Sequence, residues 1–344
     1  MRPSAAARAI CGTASSLAGD WIIEQGRPPG GPVFRYAGRV NPLTRYRPAA
    51  ALSLRAQTAG CALLTLAGAL ALLPPSAAGT GDPPLRITFL ALDRGEATLI
   101  QAPGGVTGLI GGGAAGEGEK VLQFLRSRKV SRLDVLAAST WSNEHMGGMP
   151  RLIKSIPVKR FIHNSLYAPV KNVEPLLELI RTPPEQSRVP ASAMSPGESI
   201  TLFYTPPCIM RAVSPTGPML TRFQGDRDCS LMLEFRYDQV TYLDLGQTTQ
   251  RHQKAMWSGV DLKPFGQVLR IGKSGAAGSL AEGLLKPLKT RVAVIPVARK
   301  SGKKPAPATL AALRKAGVKV YRTDQHGTLT VSTDGDKINV RTGG

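Results

Sequence analysis

The chain has 344 residues with 44 basic and 23 acidic side chains, a formal net charge of +21, and 5% aromatic residues. That length holds one large domain or two small ones. The charge favours a polyanion partner (nucleic acid, anionic lipid or acidic glycan) without choosing among them, a solvated basic surface being the plain alternative. Sparse aromatics argue against a base-stacking platform, the lack of a strong internal repeat excludes a solenoid, and the lack of G-x-x-x-x-G-K-[S/T] excludes a P-loop.

Residues 1–58 carry eight arginines against Asp20 and Glu24 and show no long periodic segment. They are expected to be disordered, or to precede the true start. Residues 59–73 form an uncharged apolar run after Arg55, closed by Pro74, Pro75 and small residues to Gly79. A basic residue, an apolar core of about 15 residues and a small-residue exit make a secretory signal pattern over 59–79. The alternative is an uncleaved membrane anchor through 59–73, short for a full span of roughly 20 residues and stopped at Pro74. Both readings place the following domain, 83–344, outside the cytoplasmic membrane, either exported (periplasmic or extracellular) or anchored facing outward. A buried helix of a cytosolic protein is the third reading. Of Cys11, Cys61, Cys208 and Cys229, only the last two fall in that domain, with no C-x-x-C spacing. In an exported domain Cys208 and Cys229 form one disulfide; otherwise they are two buried thiols.

From Leu85 the pattern predicts strands at 85–92, 96–102 and 106–110. A helix follows at 120–129, with Val121, Leu122, Phe124 and Leu125 at helical spacing. Next come a strand at 133–138, a polar turn at 139–149 and a helix at 150–156. A further helix starts at Val173, with Leu176, Leu177, Leu179 and Ile180 on its apolar side and Pro175 tolerated in its first turn. Strands at 199–204 and 208–213 lead into a hairpin turning at Asp238 and Gln239, then a helix at 248–257. The tail repeats a strand–helix–strand theme over 268–271, 280–288, 291–297, 306–316, 319–321 and 328–331. Two blocks of strands, each followed by helices, predict an α/β fold, an αββα four-layer sandwich.

The polar turn reads S-T-W-S-N-E-H-M-G-G-M over 139–149. Around it stand F-L-A-L-D-R-G-E-A-T-L-I at 89–100, L-I-G-G-G at 109–113, Y-L-D-L-G-Q at 242–247, L-R-I-G-K-S-G-A at 269–276 and A-G-V-K-V-Y-R-T-D-Q-H-G-T-L-T-V at 316–331. These blocks resemble the metallo-β-lactamase superfamily, in particular the C-terminal domain of ComEC-type DNA-uptake (competence) proteins. The family writes them F-L-D-V-G-Q-G-D-A-x-L-I, L-I-D-G-G, L-L-T-G-D and L-K-V-P-H-H-G-S, and its metal turn is H-x-[H/D]-x-D-H. The resemblance implies the four-layer sandwich and, in intact members, a zinc or manganese hydrolase. Apolar strand positions and turn glycines are kept, whereas ligand positions are mostly lost. Thr140 and Ser142 stand for the first two ligands and Glu144 for the Asp, and only His145 is retained. Gln247 replaces the Asp that bridges two metals, Lys273 and Ser274 replace the His pair, and Lys304 stands near the place of a further His.

A catalytic zinc needs about three protein ligands and an open position. Glu144 and His145 supply at most two, adjacent residues chelate one ion poorly, and Lys273 would repel a cation. His163, His252 and His326 are isolated in sequence and are expected as surface or turn histidines. Without metal, no side chain here brings the pKa of a water towards neutrality. No metal and no cofactor is therefore expected, and Glu144 with His145 is a remnant motif. A triad of Ser142, His145 and Glu144 is not expected either. Lys273, Arg299, Lys300, Lys303 and Lys304 fall in loops that, by the resemblance, meet on the former active-site face. They are candidate polyanion contacts, salt-sensitive and not sequence-specific. The expected function is a catalytically degenerate domain binding DNA or another polyanion. Its rivals are a metal-dependent hydrolase of phosphodiesterase or nuclease type with a rebuilt site, and an envelope scaffold or interaction protein. Oligomeric state and partner stay open.

Overall fold

The computed structural model describes residues 21–23, 34–36, 85–164, 173–185, 187, 189–194, 197–204, 206–214, 230–257, 267–300, 302 and 305–343. The chain divides into two units, Met1–Leu72 and Leu73–Gly344. In the first, β1 (Trp21–Ile23) pairs antiparallel with β2 (Phe34–Tyr36). The apolar run at 59–73 and Cys11, Cys61, Cys229, Lys303 and Lys304 lie outside the described residues. No helix among the described residues is long and apolar enough to cross a membrane.

The second unit is built on two sheets. The first takes β3 (Leu85–Phe89), β4 (Thr98–Gln101), β5 (Thr107–Ile110), β6 (Val135–Ala138), β7 (Phe161–His163) and β8 (Ala191–Ala193). The second takes β9 (Ser199–Tyr204), β10 (Pro207–Ser214), β11 (Met232–Tyr237), β12 (Val240–Asp244), β13 (Val268–Arg270), β14 (Val292–Ile295) and β15 (Lys319–Arg322). The chain then returns to the first sheet, where β16 (Leu329–Thr333) pairs with β3 and β17 (Ile338–Thr342) edges β16. Both sheets follow one plan. Antiparallel pairing runs from β16 through β3 and β4 to β5, and from β9 through β10 and β11 to β12. Parallel pairing then runs from β5 to β8 and from β12 to β15.

Parallel strands need crossover connections, which put helices on the sheet faces. In the first sheet these are α1 (Gly118–Ser127), α2 (Asn143–Met146), α3 (Met149–Ile153) and α4 (Val173–Arg181). In the second they are α5 (Gln250–Trp257) and α6 (Pro307–Lys315), with the short α7 (Thr323–His326) after β15. Consecutive strand residues point to opposite faces, and here they enter different cores. Ile100, Ile110, Val135 and Ala137 join Phe235, Tyr242, Val268 and Val292 between the sheets. Their strand neighbours Leu99, Leu109 and Leu136 pack outward on Val121, Leu122 and Leu125 of α1 and Leu152 of α3. On the far side, Leu243, Leu269, Ala293 and Ile295 pack on Leu284, Leu288 and Leu313. Three apolar layers alternating with two sheets make the αββα sandwich that the strand blocks predict.

Three features differ from the sequence pattern. The helix expected at 280–288 is only a 3-10 turn, Glu282–Leu284: Gly283 weakens a helix there, and Pro287 removes an N–H and clashes with the preceding turn. The polar turn at 139–149 contains α2 and runs into α3, with Pro150 in the first turn of α3. The first sheet also gains β17, an edge strand in which Ile338 and Val340 alternate with polar residues and pack against the core between the sheets. Cys208 is a buried free thiol in β10, and burial pushes its pKa up to about 12.

Phe89 ties the two sheets together. It is fully buried and meets Tyr242 of the opposite sheet edge-on, with ring centroids 5.9 Å apart. Phe89→Ala is expected to lower the unfolding free energy by about 3–5 kcal/mol, read as a lower urea midpoint at unchanged slope.

Candidate functional site

In sheets with parallel strands, functional groups gather beyond the carboxyl ends of those strands. Here the loops after β3, β6, β12, β13 and β14 meet and are joined by backbone hydrogen bonds. Glu96 N–H donates to the Glu144 carbonyl at 3.1 Å, Leu231 N–H to Ser139 at 2.8 Å, Arg299 N–H to Leu92 at 3.0 Å and Lys300 N–H to Asp93 at 2.9 Å. Two glycine pairs let the loops approach. A Cβ on Gly272 would overlap the Gly246 carbonyl, and one on Gly148 would overlap that of Gly112. The second glycine of the 139–149 turn is therefore needed for close approach.

The loops enclose a polar cluster. Buried His145 and Glu96 come from the first sheet, and buried Asp244 and Arg270 with half-buried Gln247 from the second. The Gln247 amide is fixed at both ends: its Oε1 accepts the Lys273 N–H at 3.0 Å, while its Nε2 lies 2.8 Å from His145 Nε2 and 3.3 Å from Glu96 Oε2. With the oxygen committed to Lys273, the amide nitrogen donates to both. His145 accepts at Nε2, leaving Nδ1–H directed at Ser139 Oγ, 3.4 Å away. Burial lowers the His145 pKa to about 4, against a smaller upward pull from Glu144. The ring is thus neutral at pH 7, and its 3.7 Å approach to Glu96 Oε2 is not an ion pair.

The charge in the cluster belongs to Arg270. One terminal nitrogen contacts Glu96 Oε2, and the other donates to Asp244 Oδ1 at 2.9 Å and to the Gly246 carbonyl at 2.6 Å. Asp244 also accepts the Gly246 N–H at 2.8 Å and the Tyr242 hydroxyl at 3.1 Å. Burial pushes the Asp244 carboxyl up to about 7 and the Arg270 guanidinium down to about 9; their direct contact opposes both shifts.

Glu144 and His145 are adjacent in sequence but not in role. Glu144 is exposed and its carbonyl holds the Glu96 N–H, whereas the side-chain partners of His145 are Ser139, Gln247 and, at 3.7 Å, Glu96. Thr140 and Ser142, at former ligand positions, bond each other at 3.1 Å. Lys273, offered as a polyanion contact, is half-buried and anchors Gln247 through its backbone. Arg299 and Lys300 are exposed, beside exposed Arg94 and Lys120. Lys300 Nζ lies 2.9 Å from Asp93, and Lys120 Nζ lies 3.7 Å from Asp93 and 3.8 Å from Glu117. Lys300 holds the Asp93 carboxyl below its usual range.

The histidine expectations need correction. His163 ends β7, half-buried between Trp141 and Phe161, and burial lowers its pKa to about 4. His252 is buried in α5 with Nδ1 on the Thr249 hydroxyl. His326 closes the single turn of α7, with Nδ1 3.1 Å from the Arg322 nitrogen and 2.9 Å from the Arg322 carbonyl oxygen. The polar cluster itself was missed: Glu96 pairs with Arg as acids in such turns do, but its Arg270 lies in a distant block.

These residues do not fit a family-type metal centre. Among the described residues no three His, Cys, Asp or Glu side chains form a metal-holding group. The one retained family histidine faces an amide nitrogen at 2.8 Å, and both nearby carboxylates are engaged by a guanidinium.

Two measurements probe this arrangement. Arg270→Met strands two buried carboxylates and is expected to cost about 3–5 kcal/mol at pH 8. The loss should shrink as pH falls, because the stranded carboxylates then take up protons in the folded state. Buried His163 behaves oppositely. Its folded pKa lies below the ordinary 6.5, so the unfolded chain binds the proton first; the ring's contribution is complete above pH 6.5 and is lost towards pH 4. In urea titrations across that window, His163→Phe should remove up to about 1.4 kcal/mol per pH unit of acid-side slope.

No family model matches the chain. Over 215 residues the sequence is 24% identical to ComE operon protein 3 of Bacillus subtilis (strain 168), covering 62% of this chain and 26% of that protein. The chain thus spans about a quarter of the length of that curated relative. Among solved structures it is similar to a diphosphatase from the PhnP family, at 12% identity, covering 69% of this chain and 86% of the other, with TM-score 0.35. It is also similar to a Thermotoga maritima protein assigned as a zinc-dependent hydrolase of the metallo-β-lactamase superfamily, at 10% identity, covering 66% and 84%, with TM-score 0.32. With its two-sheet sandwich, retained framework motifs and similarity to ComE operon protein 3, the chain carries a metallo-β-lactamase-type fold near the ComEC kind.

Proposed function

We propose that this is a catalytically silent metallo-β-lactamase-like domain that binds DNA or another polyanion outside the cytoplasmic membrane. One observation carries the silent half: the Gln247 amide nitrogen lies 2.8 Å from His145 Nε2, the retained family ligand. A hydrolase of this fold needs about three ligands and an open position for water. Here the ligand nitrogen is already bonded and the ring is buried. The fold's usual zinc or manganese has no place in this reading.

The binding half is supported by charge. Arg94, Arg299 and Lys300 on loops and Lys120 in the first turn of α1 gather around Asp93 and Glu117. Lys303 and Lys304 follow in sequence, and the whole chain carries +21. Exposed ion pairs of this kind contribute little to stability, so these cations can exchange an acidic neighbour for a phosphate at small cost. Resemblance to DNA-uptake proteins favours nucleic acid over lipid or glycan. The apolar run at 59–73 supports a location outside the membrane, either free after cleavage or anchored.

Elemental analysis of the purified full chain should find no stoichiometric zinc or manganese. Duplex DNA should bind with an affinity that falls steeply with salt. Arg299→Ala with Lys300→Ala should flatten the log–log salt slope by about 0.9 for each phosphate no longer neutralised, leaving the unfolding midpoint near its original value. One metal per chain, with phosphodiesterase activity abolished by His145→Ala, would establish the rebuilt hydrolase instead. Absence of both signals would leave the envelope scaffold.

A further inference from the structure

We propose that the Gln247 amide occupies a cation position, so that the protein carries a built-in substitute for a metal ion, and that exchanging this side chain for a carboxylate opens a divalent-cation site. The inference rests on the metal-free reading above and names the group responsible for it. It also assigns Glu96, a residue outside the family's ligand turn, as half of the latent donor pair.

The geometry points this way. His145 Nε2 and Glu96 Oε2 lie 3.7 Å apart. Two ligands about 2.1 Å from one tetrahedral zinc are separated by about 3.4 Å, so the pair is spaced nearly as ligands of a single ion. The group that contacts both is the Gln247 nitrogen, at 2.8 Å from one and 3.3 Å from the other. Its two N–H groups present positive hydrogen to a lone pair of a neutral imidazole and to a carboxylate oxygen, as a cation would. The amide oxygen is turned away on the Lys273 N–H, which holds the nitrogen in place.

An aspartate is shorter than glutamine by one methylene and ends in two oxygens. It vacates the position of the amide nitrogen and adds a third donor beside His145 and Glu96. The same exchange leaves an extra half-buried negative charge beside Glu96, which favours uptake of a proton or a cation. Arg270 remains on Glu96 and weakens the site, so binding is expected at micromolar rather than nanomolar zinc. Gln247→Asn has the same shape without the charge and is the control.

The test compares the full-length chain with Gln247→Asp, Gln247→Glu and Gln247→Asn, by elemental analysis after dialysis against zinc or manganese and by thermal unfolding with and without metal. Gln247→Asp is expected to retain about one zinc per chain. Its unfolding midpoint should rise by roughly 5–10 °C at zinc a hundredfold above the dissociation constant. Adding His145→Ala should abolish both effects, and the original chain and Gln247→Asn should show neither. A Gln247→Asp chain that folds only when metal is present also supports the proposal. Folded Gln247→Asp and Gln247→Glu chains that take up no metal overturn it, as does failure of both to fold under either condition, because the pocket then accepts no carboxylate. In those cases the original chain is still metal-free. One metal per chain in the original protein would instead overturn the metal-free reading on which this inference stands.

Discussion

The buried guanidinium of Arg270 sets the arrangement of everything around it. It stands at the end of β13 and bonds Asp244 at the end of β12 and Glu96 from the opposite sheet. Each ion taken out of water costs several kcal/mol even after relaxation. The trio is tolerable only because every charge meets its opposite and Asp244 gains two further donors from Gly246 and Tyr242. The family motif has lysine at this position. An arginine presents separate nitrogens in a fixed fork, and here the two carboxylates are held by different ends of one guanidinium. Glu96 is thereby fixed where it accepts the Gln247 amide, and that amide fixes the His145 ring.

This order of constraint separates interior from rim. The cluster of Glu96, Asp244, Arg270 and His145 is buried, whereas Arg94, Lys120, Arg299 and Lys300 are exposed. Two of the rim residues, Arg299 and Lys300, are held by their backbone N–H groups on the carbonyls of Leu92 and Asp93. Electrostatic attraction of a polyanion to the rim therefore does not require any side chain of the interior to move. Lys273 shows the division within one former ligand segment: its N–H belongs to the interior network, while its side chain is half-buried.

Much of the fold was legible because strand alternation and turn glycines carry it directly. Leu99 beside Ile100 and Leu136 beside Ala137 already state that both faces of the first sheet are covered. The site was less legible. The substitutions at the resembled ligand positions could be read one by one, but the partners of the residues that stand there could not. Glu96 and Gln247 are 151 residues apart and His145 and Gln247 are 102 apart, and only the crossing of two sheets brings them together. Burial misled in the same way: His163 and His252 look ordinary beside their sequence neighbours, and only tertiary packing encloses them. The helix expected at 280–288 failed for a local reason that was present in the sequence, Gly283 followed by Pro287.

Both sheets share the same sequence of antiparallel and then parallel pairings, and each delivers loops to the polar cluster. The loops after β3, β6, β12 and β13 still have to converge, because the strands that deliver them are fixed by apolar packing on both faces. Gly246 against Gly272 and Gly112 against Gly148 preserve the close approaches. Across the remaining gap, Arg270 joins Glu96 to Asp244, and Gln247 joins His145 and Glu96 to the Lys273 backbone. These side chains make the polar connections between the two sheets at this end of the sandwich.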